Sequence, residues 1–256
     1  MGALLKNPFT LKGKKILITG ASSGLGRQCA IRCSSSEATT IITGRDKTRL
    51  MQTFNDLLPG KHSFIEADLS DYDSYENFLS DAIKDYGKID GFVHAAGVEL
   101  TLPLNMTKPK HYQALFNINV ISGFELCRIL LKRKYLSQNA SLVFIASIMG
   151  ILGQPGKIGY CSTKGALVNG VKAMALELVP YGIRVNSILP AVCKTKMTEE
   201  FLTNLTEEAR EKVLKMHPMG LGEPDDVALA AVYLLSDASR WITGSGLVID
   251  GGYSAL

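Results

Sequence analysis

The sequence predicts an α/β protein in which helices cover both faces of one doubly wound, seven-stranded parallel sheet. Three observations carry that prediction. First, seven short apolar runs alternate with stretches long enough for amphipathic helices: KKILIT (14–19), TTIIT (39–43), HSFIEA (62–67), DGFVHA (90–95), SLVFIA (141–146), IRVNSIL (183–189) and GLVID (246–250). Such alternation makes parallel βαβ units. Second, the runs are continuously apolar, which suits strands buried on both faces. Third, 256 residues with 46% hydrophobic content fit one domain over 1–256, and no linker, repeat or low-complexity stretch divides it.

Taken in order, the first run ends in TGASSGLG, which sets Gly20, Gly24 and Gly26 around Ser22, Ser23 and Leu25. A glycine-rich turn between strand and helix lets backbone approach a pyrophosphate. The helix N-terminus adds free N–H groups and a partial positive charge. The spacing is G-x-x-x-G-x-G, a variant of the Rossmann-type dinucleotide fingerprint. The second run closes as IITGRD. Gly44 stands where an NAD site places an acid for the ribose 2′-hydroxyl, and Arg45 follows. Arg pairs with phosphate in bidentate fashion. NADP(H) is therefore favoured over NAD(H), although a two-residue shift in register would put Asp46 at that point instead. The third run ends in ADL. There Asp68 and Leu69 would meet the adenine, or Asp68 would cap the next helix.

Later elements carry the chemistry. YCSTK places Tyr160 and Lys164 one helical turn apart on one face. Free, they titrate near about 10 and 10.4, too high for work at neutral pH. Residues 190–222 contain two short helical pieces and no strand, in the position of a substrate lid.

Bulk properties narrow the function further. Net charge is +4, too mild to propose nucleic acid. Residues 1–50, however, hold nine Lys or Arg against Glu37 and Asp46, a balance of +7 that favours an anionic ligand. Cys29, Cys33, Cys127, Cys161 and Cys193 are odd in number and lack a CxxC pair, which reads as reduced thiols with no metal site. No apolar run reaches the ~18 residues of a membrane span, and no secretory leader is evident, so a cytoplasmic protein is expected.

The ordered motifs resemble the short-chain dehydrogenase/reductase family over nearly the whole chain, and 3-oxoacyl-acyl-carrier-protein reductases within it. The glycine motif is joined by HAAG (94–97), FNINV around Asn119, IASIMG around Ser147, YCSTK, PAVCKT from Pro190 to Thr195, and WITGSGLVIDGGY (241–253). His94 departs from the family's Asn, and Ala191 from its Gly. The resemblance implies a catalytic set of Asn119, Ser147, Tyr160 and Lys164. Lys164 would depress the Tyr160 phenol and reach the nicotinamide ribose. Ser147 would hold the carbonyl oxygen, and Asn119 would position a water against Lys164. Ala95, Ala96, Gly97, Pro190, Val192 and Thr195 would join the cofactor site.

The resemblance also implies reduction of a carbonyl, a 3-oxoacyl thioester or related ketone, to a secondary alcohol. Oxidation of a sugar, polyol or steroid-like alcohol is the alternative, and a non-catalytic nucleotide-binding protein the outsider. Glu99, Gln154 and Val192 are candidates for substrate contact. Lys132, Arg133 and Lys134 would meet an acidic acyl carrier protein. A homotetramer would pack helices near 112–133 and 159–178 across two-fold axes.

Overall fold

Seven strands form at the apolar runs: β1 (Lys15–Thr19), β2 (Thr39–Gly44), β3 (Ser63–Glu66), β4 (Ile89–His94), β5 (Leu136–Ile145), β6 (Arg184–Pro190) and β7 (Gly246–Ile249). They pair in parallel in the order β3-β2-β1-β4-β5-β6-β7. This is a computed structural model, and it describes residues 7–132, 134–203 and 205–255. The chain winds outward from β1 to β3, then returns to build from β4 to β7. The order therefore reverses between β1 and β4, and a crevice opens there beyond the carboxyl ends of the strands.

Helices cover both faces. On one side α1 (Gly24–Ser35), α2 (Lys47–Asn55) and α9 (Pro224–Leu235) enclose a core with Ile16, Ile18, Ile42, Val93 and Ile188. Cys29 and Cys33 belong to this core, where burial pushes the Cys29 thiol up to about 12. On the other side lie α3 (Tyr75–Lys84), α4 (Pro109–Phe116), α5 (Ser122–Leu130) and α6 (Ile158–Leu178). They bury Leu17, Phe92, Phe144, Leu167 and Val171. Burial on both faces is why the strands read as continuous apolar runs.

Two departures from the expected elements matter. β5 begins at Leu136, five residues before the apolar run. Leu136 pairs with Ile89, the register then shifts, and Ser141 pairs with Gly91. The polar segment between looped out, with Asn139 at φ +59°, so it carries no strand pattern. Between α4 and α5, Asn117–Ile121 winds as a π-helical turn. Such turns gather at functional sites, and this one holds Asn119.

The excursion after β6 contains α7 (Lys196–Thr203) and α8 (Glu207–Lys215). Its ends are tied together: Lys194 N–H donates to the Gly222 carbonyl at 2.8 Å, and Gly222 N–H to that of Val192 at 3.1 Å. The segment therefore leaves and rejoins the fold at one point.

Candidate active site

The first helix begins where β1 ends, with Ser23 extended at its N-cap and no side chain satisfying the first N–H groups. Those groups stay available to an anion. Gly20 sits at φ +66°, and a Cβ there would stand 2.7 Å from Ala96 backbone atoms. A Cβ on Gly26 would stand 2.3 Å from the Gly20 carbonyl oxygen. Only glycine fits either position, and the result is a backbone cradle shaped for a pyrophosphate. Thr19 closes the turn, its hydroxyl accepting from Ala95 N–H at 3.2 Å.

Every residue expected to hold the dinucleotide lines one cleft with this cradle, as do Ser147, Tyr160, Lys164 and the substrate candidates Glu99, Gln154 and Val192. Arg45 faces the cleft and makes no ion pair among the described residues. Most other cations of the basic N-terminal segment are paired, such as Arg27 with Asp56 and Arg32 with Asp225. Asp46 is engaged elsewhere. It caps α2 by accepting from Arg49 N–H at 3.0 Å and from Arg49 Nε at 2.7 Å. Asp68 lines the cleft, while its Oδ1 accepts from Ser70 N–H and hydroxyl within its own turn.

Tyr160 is half-buried at the cleft. Burial pushes its phenol above the ordinary range, while the Ser147 hydroxyl pulls the other way. Lys164, one turn on, has its Nζ 5.5 Å from the centre of the Tyr160 ring and donates to the Ile145 carbonyl at 2.9 Å. Burial pushes Lys164 down to about 8. Desolvation disfavours the charged form of both groups, raising the phenol and lowering the ammonium.

Asn119 lies on the π-helical turn, its side chain fully buried behind the cleft. It accepts from Val98 N–H at 2.7 Å and donates to the Val98 carbonyl at 2.9 Å and the Thr163 hydroxyl at 3.0 Å. Asn119 therefore braces the loop after β4 against α6. His94 is structural. Its Nδ1 lies 3.0 Å from the Thr19 hydroxyl, and burial pushes it down to about 3.

Sequence reasoning missed four residues at the cleft. Arg49 stands beside Arg45. Lys157 lies one turn before Tyr160, buried and ion-paired with Glu99. His217 joins the excursion to the loop after β6, its Nδ1 at 2.7 Å from the Val213 carbonyl and its Nε2 accepting from Val192 N–H at 3.4 Å. Tyr253 packs against His217 with ring centres 4.9 Å apart and the planes tilted by 52°. Of these, only Lys157 stands at helical spacing from Tyr160, and that spacing does not announce its pairing with Glu99.

The profile of a family described as enoyl-(acyl carrier protein) reductase matches residues 20–254. This chain is a short-chain dehydrogenase/reductase. Among its relatives is the 3-oxoacyl-acyl-carrier-protein reductase FabG of Thermotoga maritima, 33% identical over 94% of this chain and 98% of the relative. Another is the L-rhamnose 1-dehydrogenase (NAD(P)(+)) of Azotobacter vinelandii, 31% identical over 93% and 96%. A solved structure titled as a short-chain alcohol dehydrogenase from Sinorhizobium meliloti superposes with a TM-score of 0.90 at 27% identity, covering 97% of this chain and 99% of that one. As a short-chain dehydrogenase/reductase, the chain is an NAD(P)-dependent oxidoreductase acting on CH–OH and C=O groups. Among the described residues, no helix is long and apolar enough to cross a membrane.

Proposed function

We propose that the chain reduces a ketone to a secondary alcohol with NADPH, Tyr160 acting as general acid. The observation that carries this reading is Tyr160 in the cleft at the carboxyl end of the sheet, sharing it with Ser147 and followed one turn later by Lys164. The bound cofactor supplies the hydride. Tyr160 holds its proton at neutral pH because burial favours the neutral phenol. Ser147 fixes the substrate carbonyl oxygen beside that phenol. Lys164, cationic below about 8, stabilises the phenolate left after proton transfer. Asn119 holds the floor of the site in place through Val98. Residues 190–222 act as the substrate lid.

The preference for NADPH is supported by Arg45, unpaired at the cleft, and by Asp46 being turned to the α2 cap. A 3-oxoacyl thioester is supported by the FabG relatives. Lys132 and Lys134 stand at the amino end of β5, far from their own cleft, and Lys132 is already ion-paired with Glu76. Arg133 lies outside the described residues. Two-fold packing of α5 and α6 would run these helices antiparallel and carry the basic ends toward the partner's cleft. Such a homotetramer is further supported by the exposed apolar side chains of Trp241, 91% exposed, of Leu229 on α9 and of Val248 on the edge strand β7. A cytoplasmic location suits the reduced thiols. The second substrate reading, a sugar or polyol, is favoured by the ion pair of Glu99 and Lys157 in the cleft.

The test is NADPH consumption with ketones of both classes. Tyr160→Phe is expected to lower kcat by about a hundred- to ten-thousand-fold while NADPH still binds. Undiminished turnover by Tyr160→Phe would overturn the reading.

A further inference from the structure

Two cations flank the reacting ring. Lys164 Nζ lies 5.5 Å from the Tyr160 ring centre, and Lys157 Nζ 5.8 Å. Lys164 belongs to the family set; Lys157 has no role in the chemistry above. Its side chain is only 10% exposed, and that of its partner Glu99 24%. Both line the cleft. The loops that carry them are joined, with Leu102 N–H donating to the Gly156 carbonyl at 2.7 Å. Glu99 Oε1 takes the Lys157 bond and one from the Thr101 hydroxyl at 3.0 Å, while Oε2 takes no hydrogen bond among the described residues.

An ion pair held this far from water loses hydration that its mutual attraction only partly returns. The pair presents an acceptor and a donor side by side with no net charge. That matches a neutral hydroxyl, which gives its proton to a carboxylate and accepts from an ammonium. An aliphatic chain offers neither, and a thioester carbonyl offers only an acceptor. A substrate carboxylate would face Glu99 at close range.

We propose that Glu99 and Lys157 select the substrate by binding a hydroxyl on the carbon next to the reacting carbonyl, so that the preferred substrates are neutral hydroxyketones and the corresponding polyols. The proposal rests on the reading of Tyr160 as the proton donor. Gln154, also at the cleft, would add a further polar contact to a polyol.

The experiment compares kcat/KM with NADPH for 3-hydroxybutan-2-one, butan-2-one and the acetoacetyl thioester of N-acetylcysteamine. The enzymes are wild type, Glu99→Gln and the neutral double variant Glu99→Gln/Lys157→Gln. NADPH titration of each variant reports whether the cofactor half still folds and binds. The wild type is expected to prefer the hydroxyketone over butanone by about a hundredfold or more, since a site built for a hydroxyl rejects the analogue lacking it. In both variants that ratio is expected to collapse toward one. Equal use of the two ketones by wild type, preference for the thioester, or an unchanged ratio in the variants would each overturn the proposal. Should the variants lose NADPH binding, a wild-type ratio near one still refutes it and a large ratio still supports it. If wild type binds NADPH yet consumes none with any ketone, the reductase reading has failed and this one falls with it. A preserved ketone reduction with the wrong ratio refutes only the role of the pair.

Discussion

The two walls of the cleft are built on opposite plans. The wall proposed for the cofactor is backbone at Gly20, Gly26, Gly44 and Gly97, where a Cβ would meet neighbouring atoms at 2.3–3.4 Å. The substrate wall is side chains: Glu99, Gln154 and Lys157 from two loops, with Val213, Met216 and His217 from the excursion after β6. One wall is defined by atoms that must be missing and the other by atoms that are present. The pyrophosphate is common to every such dinucleotide, so the part of the wall that cradles it has one solution. Ketones differ, so the second wall is carried on loops that vary without disturbing the sheet.

The strongest challenge to this contrast is Gly26→Ala. The new methyl would lie 2.3 Å from the Gly20 carbonyl oxygen, and backbone has to move. Stability is expected to fall by about 1–3 kcal/mol, lowering Tm by roughly 2–4 °C per kcal/mol. NADPH affinity should drop by on the order of a hundredfold, as expected when positioning atoms shift by about an ångström. Fluorescence titration reads the affinity and calorimetry the stability. Affinity at the wild-type level would mean that the cradle tolerates side chains and that the contrast is wrong.

The same contrast explains what could be read in the sequence. Strands buried on both faces write themselves as apolar runs, and glycines required by close approach appear as glycines. The Ser137–Asn139 bulge was hidden because looped-out polar residues have no period, which left Leu136 isolated from its strand. The π-turn was hidden because it lies inside a continuous helical stretch, and one extra residue in a turn changes no residue type. Lys157 was hidden because its meaning comes from Glu99, 58 residues away in sequence. The fate of Asn119 was legible as a position but not as a set of bonds. Its partners, the Val98 backbone and Thr163, exist only once β4 and α6 are packed together.

Arg45 sharpens the comparison, because it is a side chain set into the backbone wall. If the 2′-phosphate is read there, Arg45→Ala removes a charge-assisted contact of about 1.5–3 kcal/mol, or roughly ten- to a hundred-and-fifty-fold in affinity. NADPH binding should weaken by that factor while NADH binding stays within about twofold. Asp46→Ala should leave the cofactor preference alone and cost about 1 kcal/mol as a lost N-cap. Tighter NADH binding by wild type, or a switch of preference in Asp46→Ala, would give the selecting role to Asp46.

Lys164 belongs to both walls, and its effect is the smallest and the most diagnostic. Burial holds it at about 8 in the fold, against about 10.4 in the unfolded chain. It is therefore charged at pH 7 and loses its charge as pH passes 8. NADPH affinity should decline from pH 7.5 to 8.5 by about threefold, since the loss of one proton lowers affinity at most tenfold per pH unit. Lys164→Arg should flatten the decline, because a guanidinium stays charged. Stability must move the other way. Above pH 8 the unfolded chain binds more protons at this residue than the folded one, so the Lys164 contribution to stability rises with pH. The window closes near pH 8.5, where the unfolded cysteines reach half-ionisation while Cys29 and Cys33 stay protonated in the core, an effect of opposite sign. Falling affinity without a falling Tm between pH 7.5 and 8.5 thus isolates the ammonium from general alkaline unfolding. Parallel loss of both would mean that the whole cleft opens, and that Lys164 is not the group being titrated.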